Sequence, residues 1–218
     1  MSADATVFLV DDDNAVRDAH MRLLEAAGYA VEAYPDAEAF LAAYEPQRPG
    51  CLLLDMRMPG MGGLGLQAVL AERKDSRPII FLTGHATVPM TINALKYGAF
   101  DFLEKPIQGK TLLACVDRAL QRDGELRREA VDRDQARVRC ATLTRRERDI
   151  LPLVAAGGSN KGIARHLGIS HRTVELHRMR IMHKTGAQNV MELAAIARAA
   201  GFCLDPPFGG DVITPETR

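Results

Sequence analysis

Uninterrupted apolar runs and helically spaced apolar residues alternate along the first half of this chain. The runs are Val7-Phe8-Leu9-Val10, Cys51-Leu52-Leu53-Leu54, Ile79-Ile80-Phe81-Leu82, the more mixed residues 99–103, and a shorter stretch near 30–33. Short apolar runs bounded by turn residues read as buried strands, and spacings of three and four read as helices. Val16, Leu23 and Leu24 predict a helix over 15–27, which Gly28 ends. A second starts at Asp36, an N-cap with Pro35 before it, and turns Phe40 and Leu41 inward. Further helices are expected over 64–73, near 88–97 with Gly98 as its stop, and from about Gly109. Five strand–helix units with short connections predict an α/β domain with a doubly wound, five-stranded parallel sheet. The two central runs are apolar throughout, as strands covered on both faces must be.

The pattern then changes. From Asp117 to Arg139 the chain is highly charged, with Gly124 its one glycine, and reads as the last helix extended into a linker. From Thr142 onward every element is helical. Thr144 with Glu147 three residues later is a capping box, Ile150, Leu151 and Val154 form an inner stripe, and Gly157-Gly158 end that helix. A short helix over 160–167, the turn Gly168-Ile169-Ser170, and a longer helix to about Lys184 or Thr185 follow, the last stopped by Gly186. A fourth helix covers 190–200, with Gly201 beyond it. This predicts a small all-α, four-helix domain with a helix-turn-helix. The expected organisation is a first domain over 1–122, a helical linker over 123–140, the helix-turn-helix domain over 141–204, and a disordered tail over 205–218.

Charge separates the two halves. Lys+Arg and Asp+Glu balance over the whole chain, yet residues 1–107 sum to −6 and residues 140–200 to +6. An acidic front suits a cation, and a basic rear suits a polyanion. Cys51, Cys115, Cys140 and Cys203 show no metal-ligand spacing; Cys51 and Cys115 sit in apolar patterns and are expected as reduced core residues. The start MSADAT lacks a basic-then-apolar leader, and no apolar run approaches the roughly 18 residues of a membrane span. A soluble, cytoplasmic protein with no membrane partner is the expectation.

The strand ends carry the chemistry. Val10 is followed by Asp11, Asp12 and Asp13; Leu54 by Asp55; Leu82 by Thr83; and residues 99–103 by Glu104, Lys105 and Pro106. Ligands of an open parallel sheet bind beyond the carboxyl ends of its strands. Carboxylates, a hydroxyl and an ammonium delivered to one spot suit a phosphoryl acceptor with a metal. Asp55 is the expected nucleophile, forming an aspartyl phosphate. Asp11 and Asp12 supply the acidic pocket for Mg2+, a hard ion that takes one or two carboxylates with waters and phosphate oxygens. Lys105 and Thr83 meet phosphoryl oxygens, and Asp13 is read as a helix cap. Arg57 and His85, two positions beyond Asp55 and Thr83, are expected to flank an attacking water and set the lifetime of the phosphorylated form.

In the rear domain the second helix of the helix-turn-helix is the one that enters a major groove, N-terminal end first. Val174, Ile181 and His177 lean toward the core, and Arg172, Glu175, Leu176 and Met179 fall on the base-facing side. Asn160, Lys161, Arg178, Arg180 and Lys184 suit phosphates. Thr173 and His177 complete the DNA-contacting set. With no Lys at the base-facing positions, readout is expected from Glu175 accepting from cytosine and from apolar contact to thymine methyls.

The stretches VFLVDDD, LLLDMRMPGM, IIFLTGHATVPM and GAFDFLEKP resemble the flavodoxin-like receiver domain of bacterial two-component response regulators, over about residues 5–122. LTRRERDILPLVAAGGSNKGIARHLGISHRTVELHRMRIMHKTGAQNVMELAAIA resembles the LuxR-type DNA-binding domain, over about 142–202. Together they resemble the FixJ/NarL group. That resemblance implies phosphorylation of Asp55 by a cognate sensor histidine kinase, with Asp12, Asp55 and the Arg57 carbonyl as direct Mg2+ ligands and Asp11 acting through water. It implies a switch pair in Thr83 and Phe102, a cis Lys105-Pro106 peptide, and a homodimer on phosphorylation that binds double-stranded promoter DNA, with RNA polymerase as a further partner. The fourth helix of the DNA-binding domain pairs protomers in such proteins. The protein is then no enzyme beyond slow self-phosphorylation from small donors and self-dephosphorylation. Two departures stand out: Gly62-Gly63-Leu64-Gly65 lacks the acidic cap of relatives, which predicts a loosened loop, and Gly162 occupies a scaffold-helix position that is usually larger.

Two other functions fit less of the chain. A phosphorylation-independent DNA-binding regulator would use its receiver only to dimerise, and Asp55→Ala protein would then occupy DNA normally. A metal-dependent phosphohydrolase would need an acid/base dyad that the sequence does not show.

Overall fold

The structure, a computed structural model, describes residues 5–84 and 98–204. The expected helix near 88–97, His85 and the tail over 205–218 lie outside the described residues. The chain divides into two compact units after Arg127.

In the first unit the strands β1 (Thr6–Val10), β2 (Ala30–Tyr34), β3 (Gly50–Asp55), β4 (Ile79–Thr83) and β5 (Asp101–Glu104) form one parallel sheet in the order β2-β1-β3-β4-β5. The helices α1 (Asn14–Ala26), α2 (Ala37–Ala42) and α3 (Gly63–Glu72) follow β1, β2 and β3, and α4 (Gly109–Ala141) follows β5. β1, β3 and β4 are interior strands and are buried at every residue. Successive side chains of a strand face opposite ways. Phe8, Val10, Leu52, Leu54 and Phe81 therefore share one core with Phe40, Leu66 and Leu70 of α2 and α3. Val7, Leu9, Cys51, Leu53, Ile80 and Leu82 share the other with Leu24 of α1 and Leu112, Cys115 and Val116 of α4. The doubly wound sheet thus follows from apolar runs whose two faces both find helices.

Caps fix the helix entries. Asp13 accepts from the amides of Ala15 and Val16 at the start of α1, and Asp36 from Ala39 at the start of α2. Gly62 caps α3 with no side chain to offer. β5 begins two residues later than the apolar run 99–103 suggests, because Ala99 and Phe100 precede the ladder and only Asp101–Glu104 pair with β4.

On α4, Asp123 is 1% exposed. Its Oδ2 accepts from the Gly50 amide at 2.9 Å and from Arg127 Nε at 2.7 Å. The Arg127 guanidinium donates onward to the carbonyls of Gln47 and Arg48. One residue pair thereby holds the loop into β3. A side chain at Gly50 is excluded, since its Cβ would stand 2.0 Å from the Thr6 carbonyl oxygen. Asp123→Ala leaves a buried amide and a guanidinium without their acceptor, and is expected to lower stability by about 2 kcal/mol. Earlier hydrogen exchange at the β3 amides would show it.

The second unit holds α5 (Arg145–Ala155), α6 (Asn160–Leu167), α7 (His171–Thr185) and α8 (Val190–Ala199). The Thr144–Glu147 capping box forms, Ser159 and Ser170 cap α6 and α7, and Gly168 and Gly186 end them in the left-handed region. Ile150, Leu151, Val154, Ile163, Val174, Ile181, Leu193 and Ala197 close the core. None of the four cysteines forms a disulfide, and all but Cys203 are buried. No helix of the described residues is long and apolar enough to cross a membrane.

Candidate functional site

Two strand ends and the residues that directly follow two other strands converge at one edge of the sheet. Asp11, directly after β1, is fully buried; Asp55 ends β3 and is 6% exposed; Thr83 ends β4 and is 2% exposed. Lys105 follows β5, its amide bonded to the Thr83 carbonyl. Its Nζ donates to Asp11 Oδ2 at 2.7 Å and to Asp55 Oδ1 at 2.6 Å. The remaining oxygens are also engaged: Asp11 Oδ1 accepts from the Asp13 amide and Asp55 Oδ2 from the Arg57 amide. The Lys105–Pro106 peptide is cis.

One cation thus serves two anions. Burial pulls the Lys105 ammonium down, but its hydrogen bonds to Asp11 and Asp55 outweigh that and hold it above its ordinary value. Burial pushes the Asp55 carboxyl up, more than the Lys105 contacts bring it down, with Asp11 adding to the rise. A single ammonium therefore leaves the pocket short of positive charge. The donor set suits a hard cation, since Mg2+ is held by one or two carboxylates with waters and phosphate oxygens. Asp11 and Asp55 stand together on Lys105, and Asp12 is exposed beside them. Among the described residues no three acidic, His or Cys side chains form a ready-made metal cluster. The two-carboxylate arrangement still fits an ion that draws its remaining ligands from solvent and phosphate.

Gly63 corrects the expectation of a merely loosened loop. Its Cβ, were there one, would lie 2.4 Å from the Asp55 carbonyl oxygen and 3.1 Å from Phe81. The glycine lets α3 start directly against the backbone of Asp55. Gly65 is different, for a Cβ there would meet only the Met61 side chain. Phe102 is half-buried and stacks on Phe81 with ring centroids 5.4 Å apart. Residue type and spacing did not single out Arg17, whose guanidinium bonds the Asp11 carbonyl. Nor did they single out His20, whose imidazole is held low by burial, partly offset by Asp11. Its place four residues beyond Val16 is the signal that would have put His20 on the inner face of α1.

In the second unit, Val174 and Ile181 are buried, while Leu176 and Met179 stand 40% and 62% exposed on the outer face of α7. Many of the candidate polar groups already have partners. Arg178 donates to Asn160 Oδ1 and to the Gly158 carbonyl. The Thr173 and Ser170 hydroxyls are bonded to each other. Arg172 pairs with Glu175 at 3.1 Å. Lys184 Nζ lies 2.7 Å from Oε2 of Glu147, whose side chain is 2% exposed. Lys161 and Arg180 are exposed. His177 is half-buried, with Nδ1 enclosed and no partner among the described residues.

Lys184 is thereby a tie between α7 and α5. Burial pushes the Glu147 carboxyl up, but the Lys184 hydrogen bond and the Thr144 amide outweigh it and hold it below the usual carboxylate value. A lowered carboxyl contributes stability that is present above its unfolded pKa and lost as pH falls through the folded one. Lys184→Met is therefore expected to cost about 2 kcal/mol near pH 7, discounted for the partly exposed lysine, and less near pH 4. Thermal melts at both pH values check this.

Residues 7–117 match the family described as "Response regulator receiver domain", and residues 141–197 the family "Bacterial regulatory proteins, luxR family". The transcriptional regulatory protein FixJ of Bradyrhizobium diazoefficiens is 40% identical over 206 residues, 94% of this chain and 100% of that protein. The tetrathionate response regulatory protein TtrR of Salmonella typhimurium is 41% identical, over 87% of this chain and 90% of its own. A solved structure of the response regulator StyR is 42% identical with a TM-score of 0.73, covering 89% of this chain and 98% of that one. Full-length FixJ from B. japonicum gives a TM-score of 0.55 at 37% identity, covering 90% and 97%.

Proposed function

Since the chain belongs to the response regulators that join a receiver domain to a LuxR-family DNA-binding domain, we propose that phosphorylation of Asp55 switches this transcription factor. The observation that carries the reading is the Lys105 ammonium shared by two buried carboxylates from the ends of β1 and β3.

The donor is a phosphohistidine of a cognate sensor histidine kinase. An Asp55 carboxylate oxygen attacks phosphorus; the new O–P bond forms as the N–P bond to the kinase histidine breaks, and the electron pair leaves with the imidazole. Lys105 turns from Asp55 to a phosphoryl oxygen and keeps Asp11 as its anchor. The Thr83 hydroxyl donates to another phosphoryl oxygen, and Phe102 repacks against Phe81 as Thr83 is drawn in. Asp12, Asp55 and the Arg57 carbonyl would hold Mg2+, with Asp11 acting through water, and the ion would neutralise phosphoryl charge. Arg57 helps to set how long the phosphoryl group lasts. The reaction is stoichiometric, with self-phosphorylation from small donors and self-dephosphorylation both slow.

The phosphorylated receiver forms a homodimer, which presents two copies of α7 to paired half-sites of promoter DNA and raises affinity through effective concentration. Asn160, Lys161, Arg178 and Arg180 surround the phosphates, Thr173 and His177 line the groove, and Arg172, Glu175, Leu176 and Met179 face the bases; Lys184, of the type that suits a phosphate, stays on Glu147. RNA polymerase is the next partner, and the cytoplasm the place of action. The domains divide as 1–122, 123–140, 141–204 and 205–218.

The test offers acetyl phosphate and Mg2+ to the full chain. Expected are one added phosphoryl group, mapped to Asp55 by mass spectrometry, and a band shift on a selected DNA pool at lower protein concentration than without donor. Label elsewhere, or a shift indifferent to the donor, sinks the reading.

A further inference from the structure

The outer face of α7 carries a carboxylate, Glu175, where DNA would approach. A lone anion there is repelled by phosphates, because the charge on duplex DNA dominates affinity. Glu175 is not alone: its Oε2 accepts from Arg172 Nη1 one turn earlier, at 3.1 Å. Both side chains are exposed, Arg172 at 89% and Glu175 at 54%. An exposed pair of this kind adds little to stability. Its consequence is geometric. The bond takes one terminal nitrogen of the guanidinium and leaves the Nε–Nη2 edge, two parallel donors, on an exposed side chain at the second position of the helix.

Two parallel donors match O6 and N7 of guanine in the major groove. The N-terminal part of a recognition helix is the part that reaches base edges. Resting on the DNA-binding reading above, we propose that Arg172 reads a guanine in each half-site and that Glu175 is a positioning residue that holds its guanidinium, not itself a reader of cytosine. This supplies the cation that the base-facing positions Glu175, Leu176 and Met179 lack. Leu176 and Met179, exposed farther along the same helix, are left to apolar contacts such as thymine methyls.

The experiment selects bound sequences from a randomised duplex pool with the phosphorylated full chain, comparing wild type, Arg172→Ala, Glu175→Gln, and the double variant. Arg172→Ala and Glu175→Gln are each expected to lose guanine preference at the same base pair by about tenfold, the scale of one bidentate contact. The double variant should lose no more than Arg172→Ala, because Glu175 acts only through Arg172. Unchanged melting temperatures separate this from a damaged helix. A further loss from Glu175→Gln in the Arg172→Ala background, or a change at another base pair, overturns the proposal and makes Glu175 a reader in its own right. A uniform loss across all sequences with Arg172→Ala overturns it too, and makes Arg172 a phosphate contact. Wild-type protein that enriches no sequence would overturn the DNA-binding reading itself, a result distinct from either.

Discussion

Asp55→Asn protein is expected to take up phosphoryl groups from acetyl phosphate at least about a hundredfold more slowly than wild type, because an amide oxygen is a far weaker nucleophile than a carboxylate. Donor-dependent DNA binding should vanish with it. The same variant should be more stable than wild type at pH 7. Burial holds the Asp55 carboxyl above its ordinary value despite Lys105. A raised folded pKa gives stability that is fully present below the unfolded pKa and lost as pH rises through the folded one. At neutral pH the ionised Asp55 is thus a liability to the fold, which Asn removes, although its one amide oxygen replaces only one of the two acceptors that now face Lys105 and the Arg57 amide. The stability difference should shrink near pH 4. Urea unfolding of the first unit at both pH values, with label uptake measured in parallel, tests the two halves. A variant that is labelled normally, or is less stable than wild type at pH 7, contradicts this account of the pocket.

That coupling of chemistry to strain was only half legible in the sequence. Apolar runs announced β1, β3 and β4, and since ligands of such sheets bind past the strand ends, Asp11, Asp55, Thr83 and Lys105 followed by position. Capping residues announced α1, α2, α5 and α7 in the same way, because a cap is a local event within three or four residues. What was not legible is which long-range partner each polar group finds. Lys184 has the composition of a phosphate contact, yet it closes on Glu147, 37 residues earlier, to neutralise a buried carboxylate. Arg178 finds Asn160, and Asp123 finds the Gly50 amide across 73 residues. Gly63 misled for a related reason. Within its own segment a glycine reads as lost helix stability, and only the backbone of Asp55 packed against it reveals a steric requirement.

Arg77→Met is expected to destabilise the first unit by about 3–5 kcal/mol at pH 7. The side chains of Arg77 and Asp75 are 4% and 6% exposed. Arg77 Nε lies 2.9 Å and 3.1 Å from the two Asp75 oxygens, and an Nη2 contact to Oδ2 completes a fork. The guanidinium lies 5.0 Å from the ring centres of both Phe8 and Tyr44 and 5.8 Å from that of Phe40. Such faces attract a cation, and a planar guanidinium fits between them as an ammonium cannot. Methionine fills the cage but leaves the Asp75 charge buried and unpaired. Burial pushes the Asp75 carboxyl up, and at present the Arg77 bonds outweigh it and hold it below the ordinary value. That lowered carboxyl contributes stability above its unfolded pKa, lost as pH falls through the folded one; in the variant the carboxyl is raised instead, so the deficit should be largest near neutrality and narrow in acid. Arg77→Lys keeps the charge but loses fork and stacking, and should fall between. Asp75→Leu combined with Arg77→Met should lie near wild type, since two apolar groups leave no charge stranded. Hydrogen exchange at the β4 amides follows the effect, because Ile79 starts that strand two residues after Arg77 and Thr83 ends it. A single variant no less stable than the double would mean that the aromatic cage, and not the ion pair, governs this end of the sheet.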